Sequence, residues 1–264
     1  MTDWLNDFWE DYVVVCPDAG KIHSLLHSLG EPVVNDHIAL RTFNRTPITR
    51  NEISQYFIER GYQQGENYSF PEKSLSATYY IHEDDCMPKV FISELLLEGF
   101  SSSFVGIIDK LIRSAQSHIK SQGLSIPTMP WEPIPYSDYI TLQTESEYAA
   151  WVAAMGIRAN HFTVSVNHLK NIPDIPSLNQ ILKDNDFKLN HRGGEVKGSP
   201  QELLVQSSTM AKPISWPFAD GNHEIPGCYY EFAQRFPDPD TGKLFEGFIA
   251  QSANKIFEST NAES

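Results

Sequence analysis

Two histidines stand in similar strand-like runs: His37 in Asn35-Asp36-His37-Ile38-Ala39-Leu40 and His161 in Ala159-Asn160-His161-Phe162-Thr163-Val164. A short polar residue precedes each. Downstream of each lies an acidic strand residue, Glu94 in ISEL and Glu231 in YYEFAQRF. Neutral imidazole suits borderline divalent metals, and a hard carboxylate offsets part of their charge. His37, His161 and Glu231 make a two-histidine, one-carboxylate set, which leaves three coordination positions open and is the usual choice for non-haem Fe(II). A lone strand histidine is more often structural, but two at matching places favour ligation. The order of elements matches Glu94 to Glu231. Its role stays open among a fourth ligand, an acceptor behind the ligands and a structural acid.

Strand side chains alternate, so Val33, Asn35, His37, Ala39, Arg41 and Phe43 share one face. Four residues at about 3.3 Å each put Arg41 roughly 13 Å from His37 along the strand. The gap suits a small acid with one end on a metal and a remote carboxylate on Arg41, whose planar fork grips carboxylates bidentately. His161, Thr163, Ser165 and Asn167 form one polar face of the second strand, which calls for a hydrated or ligand-filled interior. Tyr229, Glu231, Ala233 and Arg235 share a side of a third. Gln206, Ser207 and Ser208 in LLVQSST are candidate hydrogen-bond partners for a substrate, or else an ordinary polar strand edge. The chain has no GxSxG motif and no cysteine with an adjacent base, so nucleophilic hydrolysis has no support. RGGEVKGSP reads as a glycine-turn hairpin without phosphate-loop spacing.

The elements that must position these groups recur. Residues 1–30 read as a helical preface, with Trp4, Leu5, Phe8 and Tyr12 at helical spacing. Residues 31–100 form a first βαβββ module, in which Thr49 and Glu52 make a capping box. Residues 101–156 are a helical and proline-rich connector, irregular from Ser125 to Tyr139. Residues 157–264 repeat the module, with FKLN, ELLVQSST and CYYEFAQRF as later strands. The expected architecture is α+β: a single catalytic domain in which two pseudo-repeated modules form a curved, barrel-like mixed sheet around a metal site, with helices packed outside.

At 264 residues, with 41% hydrophobic and 20% charged content, the chain reads as an ordinary globular protein. Its net charge of −14 and lack of basic blocks argue against nucleic-acid or anionic-membrane partners. An anionic ligand therefore needs a local cation. No apolar run is long enough to span a bilayer. The acidic, aromatic N-terminus is unlike a secretory leader. Cys16, Cys86 and Cys228 lack metal or disulfide spacing. A cytoplasmic location is expected.

The chain resembles the 2-oxoadipate dioxygenase/decarboxylase (2-hydroxyglutarate synthase) family, related to the vicinal-oxygen-chelate enzymes. The likeness runs from NDHIALRTF through RANHFTVSV and YYEFAQRF to LFEGFIAQSANKIFEST. It implies iron on His37, His161 and Glu231, with Arg41 gripping the distal carboxylate. It further implies conversion of 2-oxoadipate or a similar 2-oxo dicarboxylic acid to 2-hydroxyglutarate, with O2 uptake and CO2 release, as in lysine catabolism. Zn or Ni are other ions the site could carry as purified. Some members are much longer, with pocket-forming insertions absent here, so substrate length is left open. Two alternatives are a glyoxalase-type metal-dependent isomerase or lyase, with Glu94 as fourth ligand, and a non-enzymatic protein that binds a small acid. The oligomeric state is not legible.

Overall fold

The computed structural model describes residues 3–249. The last part of the terminal segment, from Ala250 through NKIFEST, lies outside the described residues. Helices α1 (Asp3–Val15) and α2 (Pro17–Ser28) form the preface. The first module follows as β1 (Asn35–Phe43), α3 (Arg50–Ile58), β2 (Tyr62–Phe70), β3 (Leu75–His82) and β4 (Lys89–Leu95). The connector holds α4 (Ser102–Gln122), α5 (Tyr136–Glu145) and α6 (Glu147–Met155). The second module comprises β5 (Ala159–Ser165), α7 (Ile175–Asp184), β6 (Lys197–Ser199), β7 (Leu204–Ser208) and β10 (Glu231–Arg235). A hairpin of β8 (Pro213–Phe218) and β9 (Gly221–Pro226) is inserted before β10.

Eight strands join in one mixed sheet, ordered β2-β3-β4-β1-β5-β10-β7-β6. Read outward from its centre, β1, β4, β3 and β2 repeat as β5, β10, β7 and β6. Each module pairs its first and last strands in parallel, and the two modules meet where β1 and β5 run antiparallel. The register pairs His37 with Thr163 and Ala39 with His161. Exchanging the two strands maps one pair onto the other, so His37 and His161 are equivalent positions.

Apolar alternation fixes which face is covered. Ile38, Leu40, Phe162 and Val164 are fully buried, and on that side α1 lays Trp9 and Tyr12 against Phe162 at 5.2 and 4.9 Å. At α1, the buried Leu5, Phe8, Tyr12 and Val15 form the stripe that spacing predicts. The α3 capping box forms both of its reciprocal hydrogen bonds. Three local expectations differ. FKLN makes only an isolated bridge, Leu189 to Thr209, because a proper strand needs a continuous neighbour. RGGEVKGSP supplies the short β6, with Gly193 and Gly194 at φ 71° and 97° turning the chain just before it. The β8–β9 hairpin and α5 are not among the expected elements; the hairpin carries Pro213, Pro217 and Pro226, and Pro130, Pro133 and Pro135 stand ahead of α5. Proline is tolerated at a strand edge, and just ahead of a helix its fixed φ does no harm.

Candidate metal centre

His37, His161 and Glu231 converge on the opposite face of the sheet from Ile38 and Phe162. One ligand atom from each lies within 4.8 Å of the other two, and all three side chains are buried. His37 Nε2 is 3.6 Å from Glu231 Oε1, and His161 Nε2 is 3.3 Å from Glu231 Oε2. The imidazole planes stand nearly perpendicular, 85° apart, with centroids at 5.4 Å. Three nitrogen and oxygen donors facing one small volume are the donor set of a divalent transition metal.

The residue before each histidine orients it. Asp36 Oδ1 accepts from His37 Nδ1 at 2.7 Å, and Asn160 Oδ1 stands 3.3 Å from His161 Nδ1. A residue next to a strand histidine should point to the other face. The β1–β5 register, however, skips Asp36 on one strand and Asn160 on the other. These two symmetric irregularities are the physical means by which a side chain is re-aimed. An acceptor on Nδ1 leaves the Nε2 lone pair for metal. At His37 that lone pair meets the Thr163 hydroxyl at 3.0 Å.

Arg235 holds Asp36 in place through Nε at 2.7 Å and Nη2 at 2.9 Å. Burial opposes ionisation of Asp36, but the Arg235 charge and the His37 donor outweigh it and keep the carboxyl well below its usual range. Burial lowers His37 despite Asp36. It lowers His161 further, with the His37 and Arg41 charges in the same direction. Both imidazoles are therefore neutral near pH 7, as ligands must be. Burial also pushes Glu231 up to about 8, against a hydrogen bond from Gln206 Nε2. Glu231 Oε2 has no hydrogen-bond partner. A buried carboxylate oxygen without a donor, between two neutral imidazoles, fits a cation.

Arg41 lies on the same face of β1 as His37 and is 2% exposed. Its guanidinium stands 5.1 Å from the Tyr148 ring and 5.3 Å from that of Trp151, both on α6. It borders a cavity of about 370 Å³ together with Lys73, Leu75, Phe100 and Tyr148. At the other end of the strands, Arg235 Nη1 donates to the carbonyls of Phe245 and Gly247. The next residue, Phe248, sets its ring edge-on against His37 at 4.9 Å.

The remaining candidates separate by face. Gln206 reaches Glu231. Ser207, on the opposite face of β7, donates to Asn179 of α7 at 2.7 Å, so it is not brought to the cluster. Ser208 is buried one position further on, back on the face of Gln206. Glu94 is not in the cluster. It accepts from the Arg50 backbone N–H at 3.0 Å and Ser76 Oγ at 3.1 Å, anchoring the start of α3. Strand register gives the reason: Ala39 pairs with Phe91 as Thr163 pairs with Glu231. Phe91 is therefore the counterpart of Glu231. Glu94, an odd number of residues away, faces outward. Asp36, Asn160 and Arg235 went unnoticed as site residues. The polar residue before each histidine was the available signal, and its meaning depends on the re-aimed backbone.

A family model described as 2-oxoadipate dioxygenase/decarboxylase matches residues 15–238. A relative from Oryza sativa subsp. japonica, named 2-oxoadipate dioxygenase/decarboxylase, chloroplastic/amyloplastic, is 37% identical over 270 residues, covering 93% of this chain and 74% of that protein. The crystal structure of hydroxyglutarate synthase in complex with 2-oxoadipate, also from Oryza sativa, has a TM-score of 0.90 and 36% identity over 97% of this chain and 90% of that one. A Shewanella frigidimarina NCIMB 400 protein provisionally called a hydrolase has a TM-score of 0.84 and 45% identity, covering 93% and 96%. With its paired histidines, glutamate and arginine inside this doubled sheet, the chain belongs to the 2-oxoadipate dioxygenase/decarboxylase family.

Proposed function

We propose that the protein is an Fe(II)-dependent dioxygenase and decarboxylase that converts 2-oxoadipate, or a 2-oxo dicarboxylic acid of similar length, to 2-hydroxyglutarate. One observation carries the reading. His37, His161 and Glu231 converge with Phe91 at the position where a fourth protein ligand would stand, while Arg41 waits further along the same strand face. Three protein ligands leave positions for both substrate and oxygen. The rice relative's name and the rice complex with 2-oxoadipate support this substrate class.

When bound, Fe(II) supplies the redox chemistry and Lewis acidity. His37 and His161 offer neutral Nε2 atoms, kept in the right tautomer by Asp36 and Asn160. Glu231 gives up its proton on metal binding, and Gln206 steadies one of its oxygens. Arg41 grips the far carboxylate and thereby sets which end of the acid faces the ligands. Phe91 and Phe248, whose rings are 4.9 Å apart, keep water from the His37 side of the ligand cluster. Carbon count fixes the balance: one six-carbon acid plus O2 gives one five-carbon hydroxy acid plus a single CO2.

Anaerobic loading with Fe(II), then 2-oxoadipate and oxygen, tests this directly. Equal amounts of O2 consumed, CO2 released and 2-hydroxyglutarate formed are expected. No oxygen uptake across a series of 2-oxo acids would end the proposal. The glyoxalase-type alternative loses its fourth ligand, because Glu94 serves α3 instead.

A further inference from the structure

We propose that the Tyr229 hydroxyl is a further substrate-binding group, donating a hydrogen bond to the distal carboxylate that Arg41 grips. The inference rests on the proposed function and deepens it by adding a determinant of dicarboxylate selectivity.

Tyr229 precedes Glu231 by two residues and is fully buried. Its ring stacks on His161, with centroids 4.8 Å apart and planes at 28°. Its backbone is held from behind, where Tyr12 Oη donates to the Tyr229 carbonyl. The side chain is thus fixed beside a metal ligand. Arg41 lies beside its hydroxyl but offers only donors, so among the described residues the phenol proton has no acceptor. Buried hydroxyls are almost always paired, and leaving one unpaired costs stability. Such a group persists where a ligand completes it.

The surroundings identify the ligand chemistry. His161, on which Tyr229 stacks, lies across from Ala39, two residues before Arg41 on the same face of β1. The hydroxyl therefore gains from an acceptor placed beside Arg41. A carboxylate held bidentately by arginine still has lone pairs to spare. Tyr230 makes the contrast. Its hydroxyl is also unpartnered, but its ring lies among Trp9, Tyr12 and Phe232 on the helix side of the sheet.

Tyr229→Phe keeps the ring and its stacking on His161. Calorimetry on Fe(II)-loaded protein without oxygen would compare 2-oxoadipate with 2-oxohexanoate, which has the same chain length but no distal carboxylate. We expect Tyr229→Phe to weaken 2-oxoadipate binding roughly 10- to 100-fold, to leave 2-oxohexanoate within about twofold, and to hold full metal. Tyr230→Phe should change neither affinity. Equal weakening for both acids would mean a distorted His161, and no weakening would mean an idle hydroxyl; either result overturns the inference alone. A wild-type protein that binds both acids alike would overturn the dicarboxylate reading itself, and this inference with it.

Discussion

At the scale of single residues, the candidate site sets two neutral imidazoles on the same sheet face as a guanidinium, the proposed carboxylate clamp. Burial keeps both imidazoles unprotonated, while Asp36 and Asn160 turn their Nε2 atoms inward. The π faces of Tyr148 and Trp151 flank the Arg41 guanidinium, an arrangement that favours a cation in an enclosed place. Lysine would keep the charge there but lose the fork that engages two carboxylate oxygens at once. Arg41→Lys is therefore expected to raise KM for 2-oxoadipate at least tenfold while bound metal stays at the wild-type ratio. Steady-state kinetics with metal analysis of the same sample checks this, and an unchanged KM would remove Arg41 as the clamp. His37, His161, Glu231 and Arg41 could all be picked out from residue type and spacing. Asp36 could not, because a strand neighbour of His37 belongs on the other face until the backbone skips a pairing.

At the scale of elements, register decides roles that composition leaves open. Glu94 and Glu231 sit in similar acidic strands, yet parallel pairing makes Phe91 the partner of Glu231 and turns Glu94 toward α3. Glu94→Gln should thus leave metal content unchanged and lower only thermal stability; metal loss in that variant would contradict the register argument. Asp36→Asn at the skipped pairing keeps an acceptor but removes the charge that Arg235 grips. Second partners of metal-bound histidines typically account for 10- to 100-fold in affinity. A loss of that size in Fe(II) or Co(II) titrations is expected. A pH dependence belongs at this scale too. Glu31, between α2 and β1, accepts the backbone N–H groups of Lys170 and Asn171 after β5. Burial works against its charge, but these donors prevail and hold its pKa below the usual value. A depressed folded pKa contributes stability above the unfolded value, about 4.3, and loses it as pH falls through the folded one. Glu31→Gln should therefore lower the denaturation midpoint at pH 7 and by a smaller margin at pH 3. A gap as wide at pH 3 as at pH 7 would refute this.

At the scale of the whole molecule, the ligands come from the central strands of a sheet built twice. β1 and β5 give one histidine each at equivalent positions, and β10 gives the glutamate, so a bound ion ties the two modules together. Binding to the folded state alone must stabilise it, by about 2.7 kcal/mol at free metal one hundred times Kd. Chelator treatment is expected to lower Tm by several degrees, and Fe(II) or Co(II) to restore it. No change of Tm with metal would show that the three side chains do not share an ion.

What the sequence by itself determined was the order of elements, the doubling of the βαβββ unit, and the candidate ligands and clamp. Apolar periodicity, caps and residue chemistry are local properties and survive in a linear string. Only the tertiary structure decided that Phe91 rather than Glu94 answers to Glu231, that Ser207 faces α7, and that Asp36 and Asn160 fold back onto the histidines they precede. Each of those outcomes depends on which residue lies across from which in a neighbouring strand. A shift of one position there exchanges inside for outside, and nothing within the strand's own sequence records that alignment.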